Sequence, residues 1–165
     1  MNSIYIGGTE EGCAKKSLVG IAHGLQNLFV VSGLIKITEL VGIVKTEIQG
    51  ASILINYSFD PTSPAGDTVF GTDGTAMEIN ADAVGTLYTW TGRIAIDLTP
   101  TTNGVAIGMG SSTGVDNADS NPSLIVPAGS LELAAVTAGG TAKTGDIDFY
   151  IRYKPLVAGA NVVAA

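Results

Sequence analysis

Residues 146–154 alternate between polar and apolar side chains with a period of two. The apolar set occupies every second position: Ile147, Phe149, Ile151 and Tyr153. This period predicts a β-strand with one face in a core and the other in water, because an amphipathic helix has an apolar period of 3.6 residues. The outer face is expected to carry a ladder of mixed charge: Asp146, Asp148, Arg152 and Lys154.

The same alternation recurs at residues 34–48 and 51–59. In the first of these segments, four apolar residues are expected to share the buried face: Ile35, Ile37, Val41 and Ile43. Further short apolar segments follow, separated by turn signals every 8 to 12 residues or so, and none has a helical period. The chain is therefore predicted to be all-β, an antiparallel β-sandwich or barrel with the jelly roll as the first choice of topology.

Three regions differ in composition. Residues 1–24 are rich in glycine and predict an extended N-terminal arm that is ordered by another molecule; a first strand plus a loop is the alternative. Residues 25–155 form the predicted β-sandwich or barrel domain, and residues 156–165 form an apolar tail that is expected to dock on a neighbour. A chain lacking residues 1–15 is accordingly expected to fold.

Charged side chains make up only 14% of the 165 residues, against about 25% in an average domain. So few charges cover a surface of this size thinly, which indicates that copies of the chain or a larger partner cover part of it. The net charge is −7 and no basic stripe is present, so nucleic acid is not an expected partner. Because the apolar runs are too short to span a membrane, a membrane is not an expected partner either.

Residues suited to catalysis or metal binding are few. The single histidine, His23, and the single cysteine, Cys13, fall short of the three or four ligands of a zinc site. Residues 110–114 (GSSTG) match a nucleophile motif that functions between a strand and a helix, a context not predicted here. Residues 116–121 (DNADSN) lack the glycine and the glutamate of a calcium loop. We expect no enzymatic activity, catalytic residue, cofactor or metal.

Five segments resemble, in order, the capsid decoration (cement) proteins of tailed bacteriophages. They are residues 28–33 (LFVVSG), 40–46 (LVGIVKT), 85–92 (GTLYTWTG), 125–129 (IVPAG) and 150–156 (YIRYKPL). The resemblance runs from about residue 25 to the C-terminal end, and residues 1–24 are outside it.

The resemblance implies a structural virion protein on the outer face of an icosahedral capsid, made in the host cytoplasm. Its implied partners are the major capsid protein and copies of itself, with a homotrimer as the expected assembly. A head-fibre, tail-fibre or lectin-like module that binds through residues 110–122 is the alternative. The candidate contacts are apolar residues of the arm and the tail: Ile4, Tyr5, Ile6, Leu156, Val157, Val162 and Val163.

Overall fold

The computed structural model describes residues 10–63, 68–70, 76–89, 106–107 and 124–165. Within these residues the chain forms strands joined by turns, and the one helical element is a 3₁₀ turn at Ala138–Gly140. The strands are β1 (Gly12–Ile21), β2 (Gly24–Ser32), β3 (Ile35–Gln49), β4 (Ile53–Pro61), β5 (Thr68–Phe70), β6 (Met77–Glu78), β7 (Leu87–Thr89), β8 (Ala106–Ile107), β9 (Leu124–Val126), β10 (Gly129–Thr137), β11 (Lys143–Pro155) and β12 (Asn161–Ala164).

The strands form two antiparallel sheets. Sheet A has the order β1-β11-β3-β9-β8, with β7 also paired to β3. Sheet B has the order β12-β2-β10-β4-β5, with β6 also paired to β4. The predicted all-β antiparallel sandwich is thus confirmed, and the described strands do not close into a barrel.

The pairing of the strands follows a jelly roll. Early strands pair with later strands from the outside inward: β1 with β11, β2 with β10, β3 with β9, and β4 with β5. Each sheet then joins two such pairs, through β11 and β3 in sheet A and through β10 and β4 in sheet B. Eight strands paired in this way form the two packed sheets of a jelly roll.

The core lies between the two sheets. Phe29, Phe59 and Phe149 are fully buried, and Tyr57 of sheet B meets the ring of Phe149 in sheet A edge-on, with the ring centroids 6.2 Å apart. The apolar face predicted for β11 is confirmed, since all four of its members are buried. Burial of these inner faces is the main stabilisation of the sandwich.

The predicted buried face of β3 is wrong for two of its four residues. Ile35 and Ile37 are buried as predicted, whereas Val41 and Ile43 are only half-buried. The cause is a bulge in β3. Arg152 and Tyr153 are consecutive in β11, but they lie opposite Glu39 and Ile37, so Thr38 between these two has no opposite residue. An extra residue reverses the two faces of a strand. Beyond the bulge the buried residues are Leu40 and Val44.

The N-terminal region contains a strand of the sandwich. Residues 12–21 form β1, which pairs with β11 from Gly12 opposite Tyr153 to Ile21 opposite Lys143. The extended arm is therefore wrong for these residues, and the alternative of a first strand is correct for them. A chain lacking residues 1–15 would lose the first four residues of β1, so this truncation removes part of sheet A and not only an arm. Residues 1–9 lie outside the described residues.

The C-terminal tail docks, but on its own chain. Residues 161–164 form β12, which pairs with β2 at the edge of sheet B. The neighbour expected from the sequence is therefore a strand of the same molecule.

Gly129 is a position where the sheet has no room for a side chain. A Cβ atom there would lie 2.8 Å from the Cα of Pro61 and would also meet the main-chain oxygen of Asp60. We expect Gly129→Ala to lower the free energy of unfolding by about 2 kcal/mol, because backbone must move to accept the methyl group. Ser130→Ala, at the next residue, is the control, expected within about 0.5 kcal/mol of the wild type. Urea unfolding measures both, and equal stabilities would contradict the packing at Gly129.

Candidate interaction surface

One end of the sandwich brings together the two terminal regions of the chain. Gly12, the first residue of β1, lies opposite Tyr153 near the end of β11. The tail begins three residues later, where the amide of Leu156 donates a hydrogen bond to the carbonyl oxygen of Leu34, 2.9 Å away. The start of β1, the β2–β3 turn and the turn before β12 therefore share this end, which we call the tail end.

The tail turn and the β2–β3 turn pack closely together. Gly33 has a φ of +76°, and a Cβ atom there would lie 2.9 Å from the Cβ of Ala160. The turn before β12 is closed by a 3.2 Å hydrogen bond from the amide of Ala160 to the carbonyl oxygen of Val157. Val157 is 43% exposed beside this contact, and Leu156 is half-buried. The close packing presents both tail residues on a defined surface.

Besides its pairing with β2, the β12 strand is held to its own chain by a buried side chain and by side-chain hydrogen bonds. Val162 lies opposite Val31 and is only 4% exposed. The hydroxyl of Tyr153 donates a 2.6 Å hydrogen bond to Oδ1 of Asn161, and Nζ of Lys16 donates one to the carbonyl oxygen of Ala165.

The candidate contacts from the sequence therefore divide into four groups. Val162 belongs to the core of its own chain, so it is not available to a partner. Leu156 and Val157 lie at the tail end, and Val163 is exposed on the outer face of sheet B. Residues 4–6 lie outside the described residues, but Glu10 enters the sandwich at the tail end, and six residues span at most about 20 Å.

The outer face of sheet A carries ion pairs, as the ladder predicted for β11 requires. Nζ of Lys15 lies 2.7 Å from Oδ2 of Asp148, and Nε of Arg152 lies 3.3 Å from Oε2 of Glu39. The other two members of the ladder also have partners. Lys154 pairs with Glu11 at 3.5 Å, and Asp146 accepts a 2.8 Å hydrogen bond from the Thr46 hydroxyl. The partners come from β3 and from β1 and the residue before it, which the sequence did not identify.

The Lys15–Asp148 pair remains ionised at neutral pH. Hydrogen bonds from Lys15 and from the Ser17 hydroxyl, which is 2.5 Å from Oδ1, hold the pKa of Asp148 below its usual value. The hydrogen bond to Asp148 raises the pKa of Lys15. A depressed carboxyl pKa and a raised ammonium pKa are the opposite of what general acid–base catalysis requires. This cluster ties β1 to β11.

The outer face of sheet B is different in character. Strands β2, β4, β10 and β12 contain no lysine or arginine, and their two carboxylates are those of Asp60, half-buried, and Glu132, buried. Four aliphatic side chains of this sheet are 42–57% exposed: Leu25, Val30, Val136 and Val163. We call these four residues the uncharged face. Val163 lies directly opposite Val30 across the β12–β2 pair.

His23 has a structural contact. Its Nδ1 accepts a 3.2 Å hydrogen bond from the amide of Thr137, so the neutral ring carries its proton on Nε2. Cys13 is a free, exposed thiol. The described residues contain no cluster of three or more His, Cys, Asp or Glu that could hold a metal ion. The 110–122 segment, with both of its motifs, lies outside the described residues.

No helix in the described part of the chain is long and apolar enough to cross a membrane. Comparisons with protein-family models, with curated proteins and with solved structures find no match to this chain.

The burial of Val162 and the exposure of Val163 have measurable consequences. We expect Val162→Ala to lower the free energy of unfolding by about 2 kcal/mol, because it removes two methyl groups from the core. Val163→Ala, one residue further along the same strand, is the control and is expected within about 0.5 kcal/mol of the wild type. Chemical denaturation measures both variants, and equal losses would show that β12 is docked differently.

The lowered pKa of Asp148 makes stability depend on pH in acid. The ion pair stabilises the fold fully above the unfolded pKa of about 4, and this contribution is lost as the pH falls through the lower folded pKa. We expect Asp148→Asn to be less stable than the wild type at pH 7 and to lose less stability between pH 5 and pH 2. Glu39→Gln, in an exposed pair, is the matched control and is expected to keep the wild-type slope. An unchanged acid slope in Asp148→Asn would contradict the assignment.

Proposed function

We propose that this chain is a structural virion protein that binds the outer surface of an icosahedral phage capsid and stabilises it, as a decoration or cement protein. The observation that carries the proposal is the meeting of both terminal regions at the tail end, where Leu156 and Val157 present apolar surface. Contact segments that lie side by side can bind one partner together.

The fold is compatible with this role without deciding it. Jelly rolls include virion proteins, lectins and cupin enzymes, so the fold class alone assigns no function. The resemblance of five segments to phage decoration proteins favours the first of these. The low charge content of the chain also favours a protein whose surface is partly covered in its working state.

The outer face of sheet A and the tail end differ in a way that suits a protein at the boundary between a capsid and water. The outer face of sheet A carries three ion pairs among its described residues, which suits a solvent-facing surface. The tail end has Leu156, Val157 and the start of the N-terminal segment, and is the side that we assign to the capsid. The sandwich would then stand on the capsid by its tail end.

The binding energy of one copy is modest under this proposal. Leu156 is already half-buried and Val157 is 43% exposed, so each has only part of its surface left to bury. A decoration protein gains strength from many copies and from contacts between them rather than from one strong site. Residues 1–9 would add contact area within their reach of the tail end.

A binding experiment tests this assignment. Heads assembled from the major capsid protein without this chain are mixed with the unlabelled protein, and binding is measured by co-sedimentation followed by gel densitometry. A chain lacking residues 1–9 and the variant Val157→Asp are each expected to bind at least tenfold more weakly, because both remove apolar contact at the tail end.

Val84→Asp is the matched control for this experiment. Val84 is 65% exposed, and the amide of the next residue, Gly85, donates a hydrogen bond to the carbonyl oxygen of Val44. Val44 lies nine residues along β3 from Ile35, which is at the tail end. That separation is about 30 Å, so Val84→Asp is expected to bind like the wild type. Absence of binding by the wild-type chain would contradict the proposed function. Equal binding by all variants would contradict the role of the tail end.

A further inference from the structure

We propose that copies of this chain contact one another through the uncharged face of sheet B, along β2 and β12. The inference rests on the proposed function in assuming a multi-copy assembly, and it names the surface and the partner of one contact in that assembly. The surface is separate from the tail end assigned to the capsid.

The first observation is the contrast between the two sheets. Both present an outer face of antiparallel strands, and the pairs of opposite charge found among the described residues lie on the outer face of sheet A. Outward-facing Val30 and Val163 lie opposite each other in sheet B and are 42% and 50% exposed. An antiparallel sheet that faces water usually alternates apolar residues inward with polar residues outward. The valine pair breaks this pattern, and it would expose less surface to water if a second copy covered it.

The second observation is the charge of the chain, which selects the partner. Each copy carries a net charge of −7, so two copies repel each other wherever carboxylates meet. In a contact between identical faces, residues near the symmetry axis meet their own counterparts, so an unpaired charge there meets the same charge. Val30 and Val163 carry no charge, so each can lie next to its own counterpart without repulsion. A different partner that recognises an acidic chain would match its carboxylates with cations, but β2 and β12 carry no carboxylate. The carboxylates on the described strands of sheet B lie elsewhere: Asp60 at half burial on β4, Glu132 buried on β10, and Glu78 exposed on β6.

The size of the surface sets the expected strength. A stable protein pair buries about 800 Å² on each partner, and four aliphatic side chains, each about half exposed, supply much less. Association through this face is therefore expected to depend on concentration when the protein is free in solution. On a capsid, where neighbouring copies are held close together, the same contact would be populated at lower concentration.

Sedimentation velocity over a range of protein concentrations tests the proposal. All chains carry Cys13→Ser, which prevents disulfide-linked pairs. The parent chain is expected to rise above its monomer mass of 16.7 kDa as concentration increases. Val30→Asp and Val163→Asp are expected to associate at least tenfold more weakly. Val19→Asp is the matched control: Val19 is an 83% exposed valine on β1 of sheet A, and this variant is expected to behave like the parent chain.

A mixing experiment identifies the partner of the face. Val163→Asp and Val163→Lys, each alone, are expected to remain monomeric, because each brings like charges together. Their equimolar mixture is expected to regain association, because the contact between two copies then pairs opposite charges. Circular dichroism on each variant establishes that it is folded.

Three outcomes would overturn the inference: a parent chain that is monomeric at every concentration, an unchanged association of Val30→Asp and Val163→Asp, or a mixture that stays monomeric. These outcomes are separate from failure of the proposed function. Copies that associate through this face but do not bind capsids would leave the inference standing and overturn the virion role. Capsid binding by a chain whose copies never associate would do the reverse.

Discussion

The pairing of β11 with β1 on one side and β3 on the other is the constraint on which the rest of the structure depends. The inner face of β11 supplies Phe149 and its apolar neighbours to the core, and the outer face supplies the charges that pair with the adjoining strands. Because β11 lies near the C-terminal end and β1 near the N-terminal end, this pairing joins the two ends of the chain. The jelly-roll order follows because the next strands inward also pair, β2 with β10 and β3 with β9.

This arrangement also determines where the surfaces lie. β1 and β11 are antiparallel, so the start of one meets the end of the other, and the tail turn lies next to the entry of the N-terminal segment. The tail then returns along β2, where Val162 completes the core and Val163 extends the exposed aliphatic surface of sheet B. One short strand thus contributes both to stability and to the uncharged face.

The sequence predicts the strands whose inner positions are all large and apolar, and it fails where that signal is weak. β11 could be predicted because isoleucine, phenylalanine and tyrosine fill its inner face. The sequence of β1 predicts an arm rather than a strand because its inward positions include Gly12, Ala14 and Lys16, which give little hydrophobic period. The bulge in β3 leaves no sign in composition, so the faces of Val41 and Ile43 could not be predicted from alternation alone.

The candidate interaction surface is also only partly predictable from the sequence. The low charge content indicated a covered surface, but which face lacks charge depends on the order of the strands, which composition does not contain. The apolar tail residues were identified from their chemistry, while the burial of Val162 and the exposure of Val163 depend on the side of sheet B that each one faces.

The measurement that tests the proposed decoration role most directly is quantitative mass spectrometry of phage particles purified from the source of this chain, giving its copy number relative to the major capsid protein. The proposed role predicts a ratio near one, or a large fraction of it, because a decoration protein would cover the capsid lattice. A ratio of a few per cent would contradict decoration and indicate a tail or vertex appendage. Absence from the particle would contradict a virion role altogether.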